Sequence, residues 1–271
     1  MKRPFLLILF FIIICLVSYY YSKRWDILSD DEQITLRDVL AHWETWVPEK
    51  KKEGTAPLIT FEEIYAGLNP EQIKFLDRIR SINPRKSFGF STGGGPASGG
   101  RENNFRNPQE KIEFKRLDDQ WMNKKGQREK LDPQYLPQNV YEAYEAMMQA
   151  MKNDLGKRLL VESGYRSPAY QLYTFLFYLP KHHYSLVETG HWVALPGYSE
   201  HGAPKQQAID FINEEAVNGE DNPAEFEALP EYEWLLRRAG EFGFELSYPK
   251  GKKGITFEPW HWRYRPTTSK N

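Results

Sequence analysis

Cysteine is almost absent from this chain, and neither sign of charge is in excess. The one cysteine, Cys15, lies inside an N-terminal apolar run, so the chain can form no internal disulfide and no thiolate-ligated zinc site. The 36 basic and 37 acidic residues leave a net charge of -1, which lacks the basic footprint of a nucleic-acid-binding protein. Any metal ion must therefore be held by histidine and carboxylate side chains, and no nucleic acid partner is expected.

A long uncharged apolar run occurs at residues 4–21, directly after two basic residues. A helix of that length can cross much of a bilayer core, and the tyrosines at 19–21 with the basic pair at 23–24 suit its water interface. A cleaved signal peptide is the alternative, although bulky tyrosines stand where a small-x-small cleavage site belongs. The sequence predicts a single-pass membrane anchor over residues 1–22, with the remaining chain extracytoplasmic, on the periplasmic or cell-wall side.

The sequence pattern of the rest of the chain changes near residue 132. Residues 23–131 form a charged, membrane-proximal region with helical periodicity at 59–82 and a glycine-rich stretch at 87–105. That stretch lacks the Gly-Lys-Ser/Thr ending of a phosphate loop and indicates a flexible surface loop. Over residues 132–267, helical patterns alternate loosely with short strand patterns such as 206–213. This alternation predicts an α+β domain with a small, mostly antiparallel sheet.

Two of the six histidines stand in sequences that suit a metal ion. His201 precedes Asp210, a carboxylate in an otherwise apolar run that needs a partner if it is buried. His261 lies in EPWHWRY, shortly after Glu258. Two histidines, one aspartate and an open fourth position match a catalytic zinc shell without thiolates, and a nearby glutamate that is not a ligand can accept a proton from water. A salt bridge from Asp210 to an arginine and a core histidine packed by aromatic rings are the structural alternatives.

Three ordered segments carry a family resemblance: SGYRS at 163–167, SEH…AIDF at 199–211 and EPWHWRY at 258–264. They resemble the zinc D-alanyl-D-alanine carboxypeptidases, VanY-type enzymes above all, which belong with the lysostaphin and hedgehog-type zinc folds. The similarity covers roughly residues 133–266. The resemblance implies one Zn²⁺ per chain, held by His201, Asp210 and His261, with Glu258 as the catalytic base.

The resemblance also implies roles for four residues around the metal. Arg166 would stabilise the negative charge on the scissile carbonyl oxygen. Gln171 and Ser199 match positions that hold the substrate's terminal carboxylate or nearby backbone, and Trp260 would help to shape the pocket. One departure is visible, because the family pattern H-x-x-G-x-A-x-D reads HGAPKQQAID here, two residues longer and with Gln206 where the glycine is expected. This difference indicates that the loop between His201 and Asp210 is longer here, while both ligands are retained.

The function implied by this resemblance is removal of the C-terminal D-Ala from peptidoglycan stem peptides. An anchor with an extracytoplasmic domain would place the site beside that substrate. An L,D-carboxypeptidase or a peptidoglycan endopeptidase on the same site is an alternative within the class. A non-catalytic cell-wall-binding module is the alternative from another class, and the presence of Glu258 favours turnover over binding alone.

Overall fold

The computed structural model describes residues 26–88, 112–251 and 256–265. The predicted anchor at residues 1–22 and nearly all of the glycine-rich stretch at 87–105 lie outside these ranges. Within them, no helix combines the length and the apolar character that crossing a bilayer requires.

The first described stretch, residues 26–88, is helical. Its helices are α1 (Asp30–Glu44), α2 (Val47–Lys52), α3 (Phe61–Tyr65), α4 (Pro70–Ser81) and α5 (Pro84–Ser87), with a 3-10 turn at Ala56–Leu58. The periodic segment predicted at 59–82 is divided into α3 and α4. Gly67 has a φ of +76° between them, and Asn69 caps α4 through a capping box with Gln72.

The second and third stretches contain the strands. The strands are β1 (Phe114–Leu117), β2 (Trp121–Lys124), β3 (Gln127–Lys130), β4 (Gln134–Pro137), β5 (Leu159–Ser163), β6 (Ala208–Asn213), β7 (Phe244–Leu246) and β8 (His261–Tyr264). All pairings are antiparallel: β1 with β4, β2 with β3, and a four-stranded sheet in the order β5-β6-β8-β7. Small antiparallel sheets with helices confirm the predicted α+β class.

Within the described residues, five further helices follow strand β4 in the chain. They are α6 (Gln138–Leu155), α7 (Pro168–Tyr178), α8 (Leu186–Trp192), α9 (Pro223–Glu227) and α10 (Pro230–Arg238), with 3-10 turns at Leu179–His182, Glu200–Gly202, Pro204–Gln206 and Ala239–Phe242. Helix α6 ends where Gly156 adopts a φ of +71°. Ser167 caps α7 by accepting a hydrogen bond from the backbone N–H of Tyr170.

The apolar side chains form two separate cores. One core joins α6 and α10 to the four-stranded sheet, with Phe211 and Trp234 among its buried residues. The other joins α7 and α8 to the N-terminal helices, with Trp43 fully buried within it. Helices on either side of residue 132 therefore share one core, and α7 depends on the N-terminal helices to cover its apolar side.

Candidate metal centre

Strand pairing brings two of the predicted ligands together. β6 and β8 are neighbours in the sheet, and Asp210 lies directly opposite His261 in their register. Directly opposite residues of antiparallel strands hold their Cβ atoms about 5 Å apart. Both β6 and β8 are otherwise lined by buried residues, so the apolar flanks of Asp210 and His261 fix the strands on which these two polar side chains meet.

A 3-10 turn supplies the third predicted ligand. His201 lies in the turn Glu200–Gly202, and its carbonyl accepts a hydrogen bond of 3.1 Å from the backbone N–H of Arg166. The extra length before Asp210 forms part of a second 3-10 turn, Pro204–Gln206. The longer loop therefore folds beside the site and does not separate the two side chains.

The three side chains point their polar atoms at a common position. His201 Nε2 lies 3.0 Å from Asp210 Oδ2, and His261 Nδ1 lies 2.7 Å from Asp210 Oδ1. One donor atom from each residue falls within 4.8 Å of the other two. The imidazole centroids are 5.0 Å apart and the rings cross at 78°. The side chain of Asp210 is only 16% exposed. Its carboxylate lies beside two imidazoles, not beside the arginine that a structural salt bridge would need.

The remaining ring nitrogens fix which atoms face the position of a metal ion. His201 Nδ1 lies 2.8 Å from the carbonyl oxygen of Gly164, which can only accept, so this nitrogen carries the proton. His261 Nε2 lies 3.1 Å from Glu200 Oε2 and donates to that carboxylate. Nε2 of His201 and Nδ1 of His261 are thereby left to bind an ion. Two imidazole nitrogens and one carboxylate oxygen, oriented by outer hydrogen bonds, fit Zn²⁺.

Electrostatics make the three ligands unequal. Burial opposes a charge on His261, but the adjacent Asp210 and the hydrogen bonds to both carboxylates raise its pKa to about 10. Burial and the positive charge of Arg166 lower the pKa of His201. For Asp210, the two imidazoles outweigh the burial penalty and hold its pKa well below the ordinary value. The site thus holds an ionised Asp210, a neutral His201 and a proton on His261 at the position that a cation would take.

Glu258 lies beside the three ligands without joining them. Its Oε2 is 3.9 Å from His261 Nδ1, which is beyond hydrogen-bond distance. The backbone N–H of Glu258 donates to Tyr248 O, and its carbonyl accepts from the N–H of His261, so this residue is fixed just before β8. Burial raises the pKa of Glu258 to about 7; His261 opposes this and Asp210 adds to it. A carboxyl group that titrates near neutrality is suited to accept and then return a proton.

Arg166 reaches the same site from the end of β5. It lies between Ser163, opposite Asp210 in the sheet, and Ser167, the cap of α7. Its guanidinium is close enough to lower the pKa of His201. Its buried Nε has no hydrogen-bond partner within the described ranges. Arg166 is half-buried as a whole, and a guanidinium with an unpaired Nε can hold an anionic oxygen.

Comparison with known proteins adds a family to this geometry. A model of the family described as VanY, D-alanyl-D-alanine carboxypeptidase, matches residues 133–267. The bifunctional D-Ala-D-Ala dipeptidase and D-Ala-D-Ala carboxypeptidase VanXYC of Enterococcus gallinarum is 30% identical over 141 residues, which cover 48% of this chain and 67% of that protein. The chain belongs to the VanY family.

A second relative and a solved structure are also similar to this chain. YodJ of Bacillus subtilis is 32% identical over 142 residues, covering 50% of this chain and 48% of that relative, so the chain spans about half the length of that protein. A solved structure of the D,D-pentapeptidase VanY from a VanB-type resistance cassette, in complex with Zn(II), is 25% identical, with 58% of this chain and 81% of that chain covered and a TM-score of 0.41.

The structure also places the three residues of the VanY domain that were predicted to contact the substrate. Gln171 is buried, and its Nε2 donates to Ala194 O at 2.8 Å, on the segment that leads to Ser199. Ser199 is also buried and directly precedes the Glu200–Gly202 turn. Trp260 packs against Gly219, where an added Cβ would come within 2.6 Å of the indole. Their roles with substrate stay predictions; the structure adds that the Gln171 amide supports the loop carrying Ser199.

One residue of the VanY domain was not identified from the sequence. Glu200 is buried, and besides His261 it accepts from Arg263 Nη1 at 2.7 Å and from Ser247 Oγ at 2.7 Å. The available signal was a pair of opposite charges adjacent in sequence to the ligand segments, Glu200 before His201 and Arg263 in the strand of His261. Sequence alone could not show that these two charges meet and that Glu200 orients the His261 ring.

Proposed function

We propose that this protein is a zinc-dependent D-alanyl-D-alanine carboxypeptidase that removes the C-terminal D-Ala from peptidoglycan stem peptides. The observation that carries the proposal is the convergence of His201, Asp210 and His261, with Glu258 beside them, in a domain of the VanY family. A zinc ion held by these three residues would keep a fourth coordination position for water, as catalytic zinc sites require.

The residues around the ligands divide the work of amide hydrolysis. Zinc, when bound in such a site, supplies Lewis acidity and lowers the pKa of a coordinated water to about 7. Glu258 accepts the proton of the attacking water and delivers it to the leaving amine. The guanidinium of Arg166 stabilises the negative charge that develops on the carbonyl oxygen, and fixed charges of this kind often contribute the largest part of a rate enhancement.

The same arrangement would favour a substrate with a free chain end. The leaving residue of a carboxypeptidase carries a free carboxylate, which needs charge-assisted donors. Arg166 is a half-buried cation beside the ligands. Ser199, at the start of the turn that holds His201, can offer its hydroxyl to the same end of the substrate.

We further propose that residues 4–21 anchor the protein in the cytoplasmic membrane and that the VanY domain lies on its outer side. The support is the uncharged apolar composition of this run and the tyrosines and basic residues that follow it. Peptidoglycan stem peptides would then lie within reach of the site.

The test is product analysis on defined peptides with the zinc-loaded protein. A pentapeptide ending in D-Ala-D-Ala should release one D-Ala, and a Glu258→Ala variant should be slower by about 10²–10⁴-fold. Glu225→Ala, at an exposed position on α9, is the matched control and should keep the parent rate. Release of the C-terminal D-Ala from a tetrapeptide instead would assign L,D-carboxypeptidase activity, and cleavage of an internal bond would assign an endopeptidase. If Glu258→Ala hydrolysed the pentapeptide as fast as the parent, Glu258 would not be the base.

A further inference from the structure

A ribbon of aromatic rings runs along the surface from α7 to the end of α8. The centroids of Phe177 and Tyr178 are 5.9 Å apart, those of Tyr178 and His182 6.5 Å, and those of His182 and Trp192 6.3 Å. The ribbon is open to solvent at both ends, since Phe177 is 40% and Trp192 72% exposed. Exposed aromatic side chains that lie together indicate an interaction surface.

A cation and an aliphatic side chain complete this surface. Lys181 Nζ lies 4.5 Å from the centre of the Tyr178 ring, and Ile27 is 46% exposed. We call the set formed by Ile27, Phe177, Tyr178, Lys181, His182 and Trp192 the aromatic face. Aromatic and aliphatic groups bordered by lysine match the composition of segments that lie at the water interface of a membrane.

The first residues that the structure describes, from Asp26 onward, are held next to the aromatic face by hydrogen bonds. The backbone N–H of Leu186 donates to Asp26 O at 2.6 Å, and that of Leu28 donates to Tyr184 O at 3.0 Å. Ser185 Oγ donates to Asp26 Oδ2 at 2.7 Å, and the backbone N–H of Ser185 donates to His182 O at 2.9 Å. Asp26 is therefore held next to the segment between His182 and α8.

Chain length limits how far this face can lie from a membrane. Four residues, 22–25, separate the apolar run at 4–21 from Asp26, so the end of the run and Asp26 are at most roughly 18 Å apart even in a fully extended chain. α8 has seven residues and is about 10 Å long, so Trp192 lies within a similar distance of Asp26. A bilayer that holds residues 4–21 must therefore lie close to this side of the protein.

We propose that the aromatic face rests on the lipid bilayer, with Trp192 and Phe177 inserted at the boundary between headgroups and acyl chains. This inference rests on the proposed membrane anchor. Tryptophan is suited to that boundary because its ring is apolar and its N–H is polar. Lys181 can extend its ammonium group to the lipid phosphates while its stem stays on the Tyr178 ring. The contact fixes the orientation of the domain on the membrane as well as its distance.

The test places an environment-sensitive fluorophore on single cysteines of the full-length, zinc-loaded chain in vesicles of phosphatidylethanolamine and phosphatidylglycerol. Cys15 is the sole cysteine, so Cys15→Ser gives a background for Trp192→Cys and Phe177→Cys. Leu236→Cys is the control, because Leu236 is also an exposed apolar residue, at 55%, on α10. Quenching by a nitroxide on the upper acyl chain is compared with quenching by acrylamide in water, and zinc content confirms that each variant is folded.

Labels at 192 and 177 should be quenched severalfold more by the lipid nitroxide, relative to acrylamide, than the label at 236. A label on the native Cys15 separates the two proposals. Lipid quenching at Cys15 with aqueous behaviour at 192 and 177 would overturn the membrane contact and leave the anchor standing. Aqueous behaviour at Cys15 would overturn both. Self-quenching at 192 that grows with protein density, without lipid quenching, would assign the face to a second copy of the chain and also overturn the proposal.

Discussion

Asp210 is the residue on which the charge of the site depends. It is ionised and almost enclosed, and both of its oxygens face an imidazole nitrogen. In the absence of an ion, the proton on His261 partly neutralises it, and the hydrogen bond to Glu200 stabilises that protonated ring. A cation and this proton therefore compete for one position.

Zinc binding should release about one proton per ion at pH 7, because His261, with its pKa raised to about 10, must lose its Nδ1 proton to become a ligand. Because zinc and a proton compete for His261 Nδ1, the apparent zinc affinity should rise as the pH rises towards 10 and fall as the pH falls. Calorimetric titration in buffers with different ionisation enthalpies measures the protons released. A binding enthalpy that is the same in all buffers would contradict this prediction.

Glu200→Ala should weaken zinc binding by about 10–100-fold, as the loss of an outer hydrogen-bond partner typically does. The reason is that His261 loses the acceptor that holds its Nε2 proton and its ring orientation, while Arg263 loses a buried partner. Competition with a chelator of known affinity measures the change. Glu200→Gln, which keeps an acceptor, should recover part of the affinity.

The matched control for Glu200 is Glu245→Gln. Glu245 also pairs with Arg263, but it is half exposed and contacts no ligand. This variant should bind zinc as the parent does. Equal losses in the Glu200 and Glu245 variants would show that the effect comes from Arg263 and not from the orientation of His261.

At the scale of elements, the turn after β5 links three parts of the site. Gly164 leaves the strand, its carbonyl accepts from His201 Nδ1, and Arg166 follows it closely. The backbone of Tyr135 in β4 lies against Gly164, so an added Cβ would collide with the Tyr135 carbonyl. Glycine is required here by this close approach and not by its φ.

Gly164→Ala should lower both the free energy of unfolding and zinc affinity, because the turn must move away from β4 and takes the His201 acceptor with it. Overpacking of this kind costs typically 1–3 kcal/mol. Chemical denaturation of the metal-free protein and chelator competition measure the two effects. Gly240→Ala is the control, since an added Cβ there meets no atom within 4 Å, and it should be nearly neutral. Unchanged stability in Gly164→Ala would show that the turn adjusts freely.

At the scale of the whole molecule, the N-terminal helices support the segment that carries Arg166. Ser167 donates its backbone N–H to Pro57 O and its hydroxyl to Ile59 O, and α7 contributes Leu172 and Phe175 to the core that contains Trp43. The region before residue 132 thus holds one side of the site.

A chain shortened to residues 132–271 should be markedly less stable than one comprising 26–271, because the apolar side of α7 would face water and Ser167 would lose both acceptors. Unfolding midpoints of the two chains, with zinc present, measure the difference. The 26–271 chain retains both cores and serves as the control. Equal midpoints would show that the VanY domain folds without the N-terminal helices.

The sequence alone was sufficient for the α+β class and for the three candidate ligands, but it did not predict strands β1, β2 and β3. Local signals indicate the ligands: the otherwise apolar run around Asp210 and the position of Glu258 shortly before His261. The α+β class follows because alternating short helices and strands can bury their apolar sides in few ways.

Tertiary structure alone decided which distant groups meet. The pairing of Asp210 with His261 depends on the β6–β8 register, and the contact of Glu200 with Arg263 and His261 depends on a turn packing over that sheet. The covering of α7 by the N-terminal helices is likewise a contact between segments far apart in the chain. A sequence pattern reports the periodicity and polarity of each segment, whereas the choice of neighbour is made by packing and by the need to pair every buried charge.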